Sequence, residues 1–210
     1  MIKLLLATFW YERGLRLDNR GRKDKALRCY ERSLQLFPRN DLAWTNRGTL
    51  LDEQGRAEEA LISYDKALAI NPTQDQALYN KAKLLDLLER HEEAIVFFSL
   101  AIKINPGDDL NWFGLGVAVS KIGDWEQALK CFDQAIEINP KSSKTWINRG
   151  SALLALKKYT EAINSCDRAL SLDPQNGGCW HNKGRALLWA GKAKEAEECF
   201  AQARQLGYAA

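Results

Sequence analysis

The sequence predicts an all-α fold built from one repeated pair of helices. Five prolines occur among the 210 residues, at Pro38, Pro72, Pro106, Pro140 and Pro174, and neighbouring prolines are 34 positions apart. A period of this length indicates that one supersecondary unit is used several times. Glycine and tryptophan recur with the same period, and the apolar residues between them follow the 3.6-residue spacing of amphipathic helices.

The prolines divide the chain into a short extension and six windows. Residues 1–6 form an N-terminal extension, followed by windows 7–40, 41–74, 75–108, 109–142, 143–176 and 177–210. We expect these windows to be six repeats of a single continuous array. The second helix of a window should stop at the proline, two residues before the window ends, because proline lacks an N–H group and pushes the preceding residue out of helical geometry.

A short break separates the two predicted helices of each window. Four windows have glycine at one position of the break, where a helix commonly ends with a left-handed residue. These glycines are Gly21, Gly55, Gly123 and Gly191. Glu89 and Lys157 occupy the position in the other two windows, so we expect those turns to form without glycine.

A large and a very small residue also recur on the first helix of each window. The fourth residue is Trp10, Trp44, Leu78, Trp112, Trp146 or Trp180, and the eighth is Gly14, Gly48, Ala82, Gly116, Gly150 or Gly184. We expect the small residue to let two helices approach closely and to leave a hole for the tryptophan.

These positions closely resemble the signature of the tetratricopeptide repeat, a 34-residue helix-turn-helix unit, over residues 7–210. The resemblance implies a right-handed α-solenoid whose first helices line a concave groove for an extended peptide or a partner helix. One departure is a basic residue, such as Arg47 or Lys81, in place of the leucine before the small residue. We expect its stem to pack along the helices while its charge reaches water.

Asparagine recurs on the predicted inner face of the first helices, as Asn46, Asn80, Asn148 and Asn182. Because an amide both donates and accepts hydrogen bonds, this row is expected to bind the backbone of an extended peptide. It resembles the asparagine ladder of the O-GlcNAc transferase family. The alternative is that the amides only bond neighbouring helices.

Apolar and charged residues complete the candidate groove. Phe113 and Val117 interrupt the asparagine row and form a candidate hydrophobic anchor, with ordinary packing between first helices as the alternative. Lys83, Lys144 and Arg185 are candidate cationic contacts, and acidic residues predominate in the first half of the inner face. This asymmetry would orient a peptide with oppositely charged ends, unless the face is simply solvated.

The composition argues against several other functions. The 30 basic and 27 acidic side chains leave a net charge of +3, so we expect no membrane binding, and nucleic acid is an improbable partner. Neither His91 nor His181 has a nucleophile or carboxylate at motif spacing, so we expect no catalytic site, and likewise no metal site and no cofactor. The five cysteines lack a disulfide or zinc spacing, which favours a reducing, cytoplasmic location.

We therefore expect a non-enzymatic protein–protein interaction scaffold that holds a peptide or helix of a protein partner. Two alternatives stay open, a substrate- or regulator-binding segment of a larger enzyme and a self-assembling scaffold. The last window carries neither a proline nor a capping helix, so its C-terminal repeat is expected to contact a second copy.

Overall fold

A computed structural model describes residues 2–208 of the chain. These residues form twelve α-helices and no strand, which confirms the predicted all-α class of helix-turn-helix repeats. They divide into two compact units, the first ending at Asn105 and the second beginning at Pro106.

Each unit contains six helices, and within it every helix packs against the next one in the chain. The first unit contains α1 (Ile2–Asp18), α2 (Lys23–Leu36), α3 (Asp41–Glu53), α4 (Ala57–Ile70), α5 (Asp75–Leu87) and α6 (His91–Ile104). The second contains α7 (Asp109–Lys121), α8 (Trp125–Ile138), α9 (Ser143–Ala155), α10 (Tyr159–Leu172), α11 (Gly177–Trp189) and α12 (Ala193–Gln205).

The odd-numbered helices are the first members of the pairs. Successive first helices also contact each other, for example α3 with α5 and α9 with α11. The side that they present away from the even-numbered helices is called the first-helix surface of its unit. Each predicted window contains one helix pair, except that α1 already begins at Ile2, inside the predicted extension. The division into six repeats of one continuous array stays a prediction.

The turn inside each pair has the left-handed conformation that the sequence predicts. The four glycines at this position have φ between 69° and 85°, and Glu89 and Lys157 adopt φ of 60° and 59° in the same place. Around Glu89 the next amide, Arg90 N–H, donates to Leu85 O at 2.9 Å, which closes the end of α5. These two turns therefore form without glycine, as expected.

The tryptophans cover the proline turns. Trp44 Nε1 donates a hydrogen bond to Pro38 O, six residues earlier, at 2.8 Å. Trp112, Trp146 and Trp180 bond in the same way to the carbonyls of Pro106, Pro140 and Pro174, each at 3.0 Å. The two periods are therefore linked, because each tryptophan fixes the turn from which its own helix starts.

The prediction that the small residue leaves a hole for tryptophan is wrong. A Cβ atom on Gly48 would lie 2.6 Å from Tyr64 Cε1, and one on Gly116 would lie 2.6 Å from Phe132 Cε1. The ring that needs the space thus comes from the second helix, sixteen residues later. Tyr64 is fully buried there, and burial raises its pKa to about 12.

Four of the five basic residues before the small positions form ion pairs between successive helix pairs, and within residues 2–208 Arg13 is the exception. Each joins a first helix to the second helix before it: Arg47 to Glu31 at 3.5 Å, Lys81 to Asp65 at 2.5 Å, Arg149 to Asp133 at 2.6 Å and Lys183 to Asp167 at 2.6 Å. The basic side chains are only 12–21% exposed. The expectation that these charges reach water is therefore wrong, since they meet carboxylates.

Candidate peptide-binding site

The predicted asparagines of the first unit bond neighbouring first helices. Asn46 Nδ2 donates to the Tyr11 hydroxyl at 3.3 Å, and Asn80 Nδ2 donates to Thr49 Oγ1 at 3.0 Å. Both amides are half-buried. These bonds are the contacts that the alternative interpretation of the asparagine row requires.

The two asparagines of the second unit differ from each other. Asn182 Nδ2 donates to Ser151 Oγ, 31 residues earlier, at 3.1 Å, in the geometry of the Asn80 bond. Asn148 Nδ2 instead donates to Lys144 O on its own helix at 2.9 Å. The residue 31 positions before Asn148 is Val117, which has no hydroxyl to accept the bond. A role of the row in binding a peptide backbone stays a prediction.

The candidate hydrophobic anchor lies on α7. Phe113 and Val117 are both half-buried. The Phe113 ring centroid is 6.1 Å from that of Phe132, a fully buried residue of α8. Part of the Phe113 ring therefore packs inside its own helix pair, and its exposed remainder stays a candidate contact.

The charges of the first unit partly neutralise one another. Glu53 pairs with Lys23 Nζ at 2.6 Å, and Asp86 lies 2.8 Å from His91 Nδ1. Burial raises the pKa of Asp52, and the exposed cation of Lys83 opposes that shift. The acidic residues thus give a weaker field than their number indicates, and orientation of a peptide by this field stays a prediction.

A cleft of about 610 Å³ opens in the second unit. It brings together two predicted site residues, Asn182 and Arg185, whereas the other predicted residues of this unit lie outside it. The remaining lining residues are Trp125, Ser151, Leu154, Ala155, Lys157, Tyr159 and Trp189. Three of these are aromatic, and none of the nine lining residues is acidic.

Two of the aromatic side chains, Tyr159 and Trp189, form a connected group with a cation. The ring centroids of Tyr159 and Trp189 are 5.7 Å apart, and the Arg185 guanidinium lies 4.8 Å from the Trp189 ring centroid. Trp189 is nevertheless 48% exposed, and Arg185 is also exposed. Exposed aromatic faces next to cations suit a ligand that presents an apolar or ring side chain beside a carboxylate.

The sequence contained a signal for this cleft that its interpretation missed. Trp125 and Tyr159 are the first residues of α8 and α10. The same position in the other pairs carries Lys23, Ala57, His91 and Ala193, all smaller or more polar. Two aromatic residues in adjacent pairs at a position that is otherwise polar or small indicate a local surface with a different role.

His181 lies on α11 and packs against aromatic rings. Its ring centroid is 5.4 Å from that of Phe200 and 5.1 Å from that of Tyr208. Burial, and to a lesser extent the charge of Arg185, lowers the pKa of His181. The imidazole is therefore held in its neutral form at neutral pH.

Contacts of the other titratable groups are structural. His91 contacts a carboxylate although the sequence has none at motif spacing, because Asp86 Oδ1 lies 2.8 Å from His91 Nδ1 across the turn between α5 and α6. All five cysteines are buried, and burial raises the pKa of the Cys131 thiol to about 11. Among residues 2–208, no group of three or more His, Cys, Asp or Glu side chains is arranged to hold a metal ion. Across this same range, no helix has the length and apolar character required to cross a membrane.

The last helix presents a mainly polar surface. Its exposed residues include Lys194, Glu197, Glu198 and Gln205, and Tyr208 is the one large apolar residue exposed between residue 193 and residue 208. Contact of the C-terminal repeat with a second copy stays a prediction, and the exposed apolar side chains of α1 are more numerous.

Family models of the tetratricopeptide repeat match residues 11–75, 53–109, 112–142 and 143–176, which together span most of the chain. The chain belongs to the tetratricopeptide repeat family. A search of curated protein sequences finds no match.

Solved structures of other tetratricopeptide repeat proteins share the fold. PilF of Pseudomonas aeruginosa aligns with a TM-score of 0.82 at 19% identity, covering 98% of this chain and 94% of its own. YrrB, described as a TPR protein with an unusual peptide-binding site, aligns at 0.76 and 21% identity, covering 84% and 91%. MamA aligns at 0.73 and 19% identity, covering 76% and 94%. At these identities the likeness concerns the fold alone.

Proposed function

We propose that this tetratricopeptide repeat protein is a non-enzymatic protein–protein interaction scaffold that binds an extended peptide of a partner in the cleft of its second unit and on the first-helix surface next to it. The observation that carries the proposal is the cleft lined by Trp125, Tyr159 and Trp189 beside Arg185. Trp189 is 48% exposed although it has the size and shape of a core residue, and Trp125 and Tyr159 are half-buried. Exposed aromatic groups combined with arginine are typical of binding hot spots.

The peptide is expected to meet this surface through three kinds of contact. An apolar or proline side chain packs on the open faces of Tyr159 and Trp189, and an acidic side chain pairs with Arg185 and Lys157. Asn148, whose amide is not used between helices, offers hydrogen bonds to the peptide backbone together with the neighbouring cation Lys144. The exposed part of Phe113 and Val117 supplies a second apolar contact.

In the first unit the proposed contacts are polar. Asn46, Asn80 and Lys83 retain exposed area on the first-helix surface of that unit, although the two amides already bond neighbouring helices. We assign them a secondary role in binding, because a peptide must compete with those bonds or use the remaining acceptor of each amide. The YrrB comparison supports peptide binding by this fold in general terms.

Selection of peptides from a random display library on the intact chain tests the proposal. Selected peptides should be enriched in proline or apolar residues next to Asp or Glu. Arg185→Glu and Trp189→Ser should each weaken a selected peptide by about tenfold or more in calorimetry, since each removes a central contact. Lys130→Glu is the matched control, because it makes the same charge change at an exposed site on α8.

Two results would count against this function. Selected peptides whose affinity is the same for wild type, Arg185→Glu and Trp189→Ser would place binding elsewhere. Equal losses of peptide affinity in Arg185→Glu and Lys130→Glu would show that the effect comes from the overall charge of the protein. Added salt would then suppress the loss in both variants.

A further inference from the structure

Helix α1 exposes a face whose counterpart is buried on the other first helices. Four first helices inside the two units bury a small residue against the preceding helix pair, namely Ala43, Ala77, Thr145 and Cys179, each at most 1% exposed. The residue of α1 at this position in the 34-residue period is Phe9, which is 48% exposed. Ile2, Leu5 and Leu6 extend the exposed apolar area toward the start of the helix.

A cation lies beside this apolar area in a recurring pose. Arg13 occupies the position of Arg47 and Arg149, and its guanidinium lies 5.3 Å from the Trp10 ring centroid, as Arg47 lies 5.8 Å from that of Trp44. Arg47 and Arg149 pair with a carboxylate on the preceding second helix. None of the carboxylates among residues 2–208 forms an ion pair with Arg13.

We propose that this face of α1, formed by Ile2, Leu5, Leu6, Phe9 and Arg13, binds an acidic amphipathic helix of a partner protein. The helix lies where a preceding second helix would lie, with its carboxylate on Arg13 and its apolar side on Phe9. Charge complementarity supports this occupant, because the same contact joins first and second helices at four places in the chain. The proposal does not depend on the cleft of the second unit.

A second copy of this chain is a poorer occupant for this face. On α12 the position equivalent to Glu31, Asp65 and Asp167 is Ala201, which offers no carboxylate to Arg13. Pairing of two α1 helices would bring Arg13 and the neighbouring exposed Arg16 near the same cations of the other copy, and the adjacent carboxylate of Glu12 already lies 3.8 Å from Arg16 on its own helix. Like charges placed opposite each other disfavour such a dimer.

The size of Phe9 adds a requirement on the partner. The helix must present a small residue opposite Phe9 next to its acidic residue. Helix α10 has this arrangement, since Cys166 precedes Asp167 and Cys166 packs against the small residue Cys179 of α11. A synthetic peptide of residues 143–176 with Cys166→Ser is therefore a suitable probe of the face.

The experiment measures hydrogen exchange and peptide affinity with the full chain. The probe should slow amide exchange in α1 and should bind Arg13→Glu about tenfold more weakly than wild type, or about 1.4 kcal/mol. A probe carrying Asp167→Lys should bind wild type weakly and regain affinity for Arg13→Glu. Arg20→Glu, an equal charge change at an exposed residue outside the face, should alter affinity by less than about twofold.

Three outcomes would overturn the inference. The first is no slowing of α1 exchange at roughly millimolar probe. The second is equal affinity of the probe for wild type and Arg13→Glu. The third is concentration-dependent slowing of α1 exchange without any probe, which would identify a second copy as the occupant. Circular dichroism of Arg13→Glu checks that the exposed substitution leaves the helices formed.

Discussion

Replacing Glu89 by glycine is expected to stabilise the protein. Glu89 ends α5 with φ of 60°, a conformation that costs a residue with a Cβ atom about 1 to 2 kcal/mol. Glycine removes that cost but adds freedom to the unfolded chain, worth about 0.5 to 1 kcal/mol. The balance is a gain of about 0.5 to 1 kcal/mol for Glu89→Gly, and the same reasoning applies to Lys157→Gly, at φ of 59°.

The structure supplies both a precedent and a control for this change. Gly55 has φ of 74° at the same position, with no atom within 4 Å of where its Cβ would lie, so the turn itself imposes the conformation. Glu89→Ala removes the charged side chain but keeps the Cβ atom, and it should stay within about 0.5 kcal/mol of wild type. Gly55→Ala is the reverse change and should destabilise by about 1 kcal/mol.

Urea denaturation followed by circular dichroism measures these differences. Glu89→Gly should raise the denaturation midpoint at an unchanged slope, and a gain near 1 kcal/mol would raise the thermal midpoint by about 2 to 4 °C. If Glu89→Gly and Glu89→Ala shift the midpoint equally, the effect comes from the lost side chain. The left-handed conformation of Glu89 would then not be the source of the stabilisation.

Other contacts lead to further predictions. Trp146→Phe should cost about 1 kcal/mol, because it removes the donor to Pro140 O but keeps a ring; an unchanged urea midpoint would mean that this bond adds no stability. Asn80→Ala should cost about 1 kcal/mol and Asn148→Ala less, since only Asn80 bonds a neighbouring helix; equal midpoints would contradict that difference. The folded pKa of His181 lies below the unfolded value of about 6.5, so its contribution to stability is present above about pH 6.5 and is lost as pH falls from there through the folded pKa. His181→Gln should flatten the fall in thermal midpoint between about pH 7 and pH 5, and parallel curves would exclude this role.

The sequence predicts the fold well because its strongest signals act locally. Proline ends a helix through its own ring and missing N–H group, wherever the rest of the chain lies. The left-handed turn is also local, and it persists at Glu89 and Lys157 because the neighbouring helices determine it. Such signals, repeated with one period, are sufficient to place every pair of helices.

The packing partners are harder to predict because they lie far apart in the chain. The period predicts a glycine and two large rings in a repeat, such as Gly116, Trp112 and Phe132. It does not indicate which of the two rings fills the space at the glycine. Tryptophan is the larger candidate, yet its indole N–H finds a carbonyl at the proline turn, six residues away. Because that bond holds the indole over the proline turn, the ring of the second helix is the one that packs on the glycine.

The candidate site shows the same limit more strongly. Recurrence leads to Asn46 and Asn80, yet residues that recur in an array are often those that join its repeats, as these two amides do. The cleft instead depends on departures from the pattern, above all Tyr159, which packs partly on the core of its unit, and Trp189, whose 48% exposed ring has no structural task comparable to that of the tryptophans over the proline turns. In a repeat protein, periodic residues are therefore the first to test for stability. Exceptional ones, such as the exposed Phe9 and Trp189, are the first to test for binding.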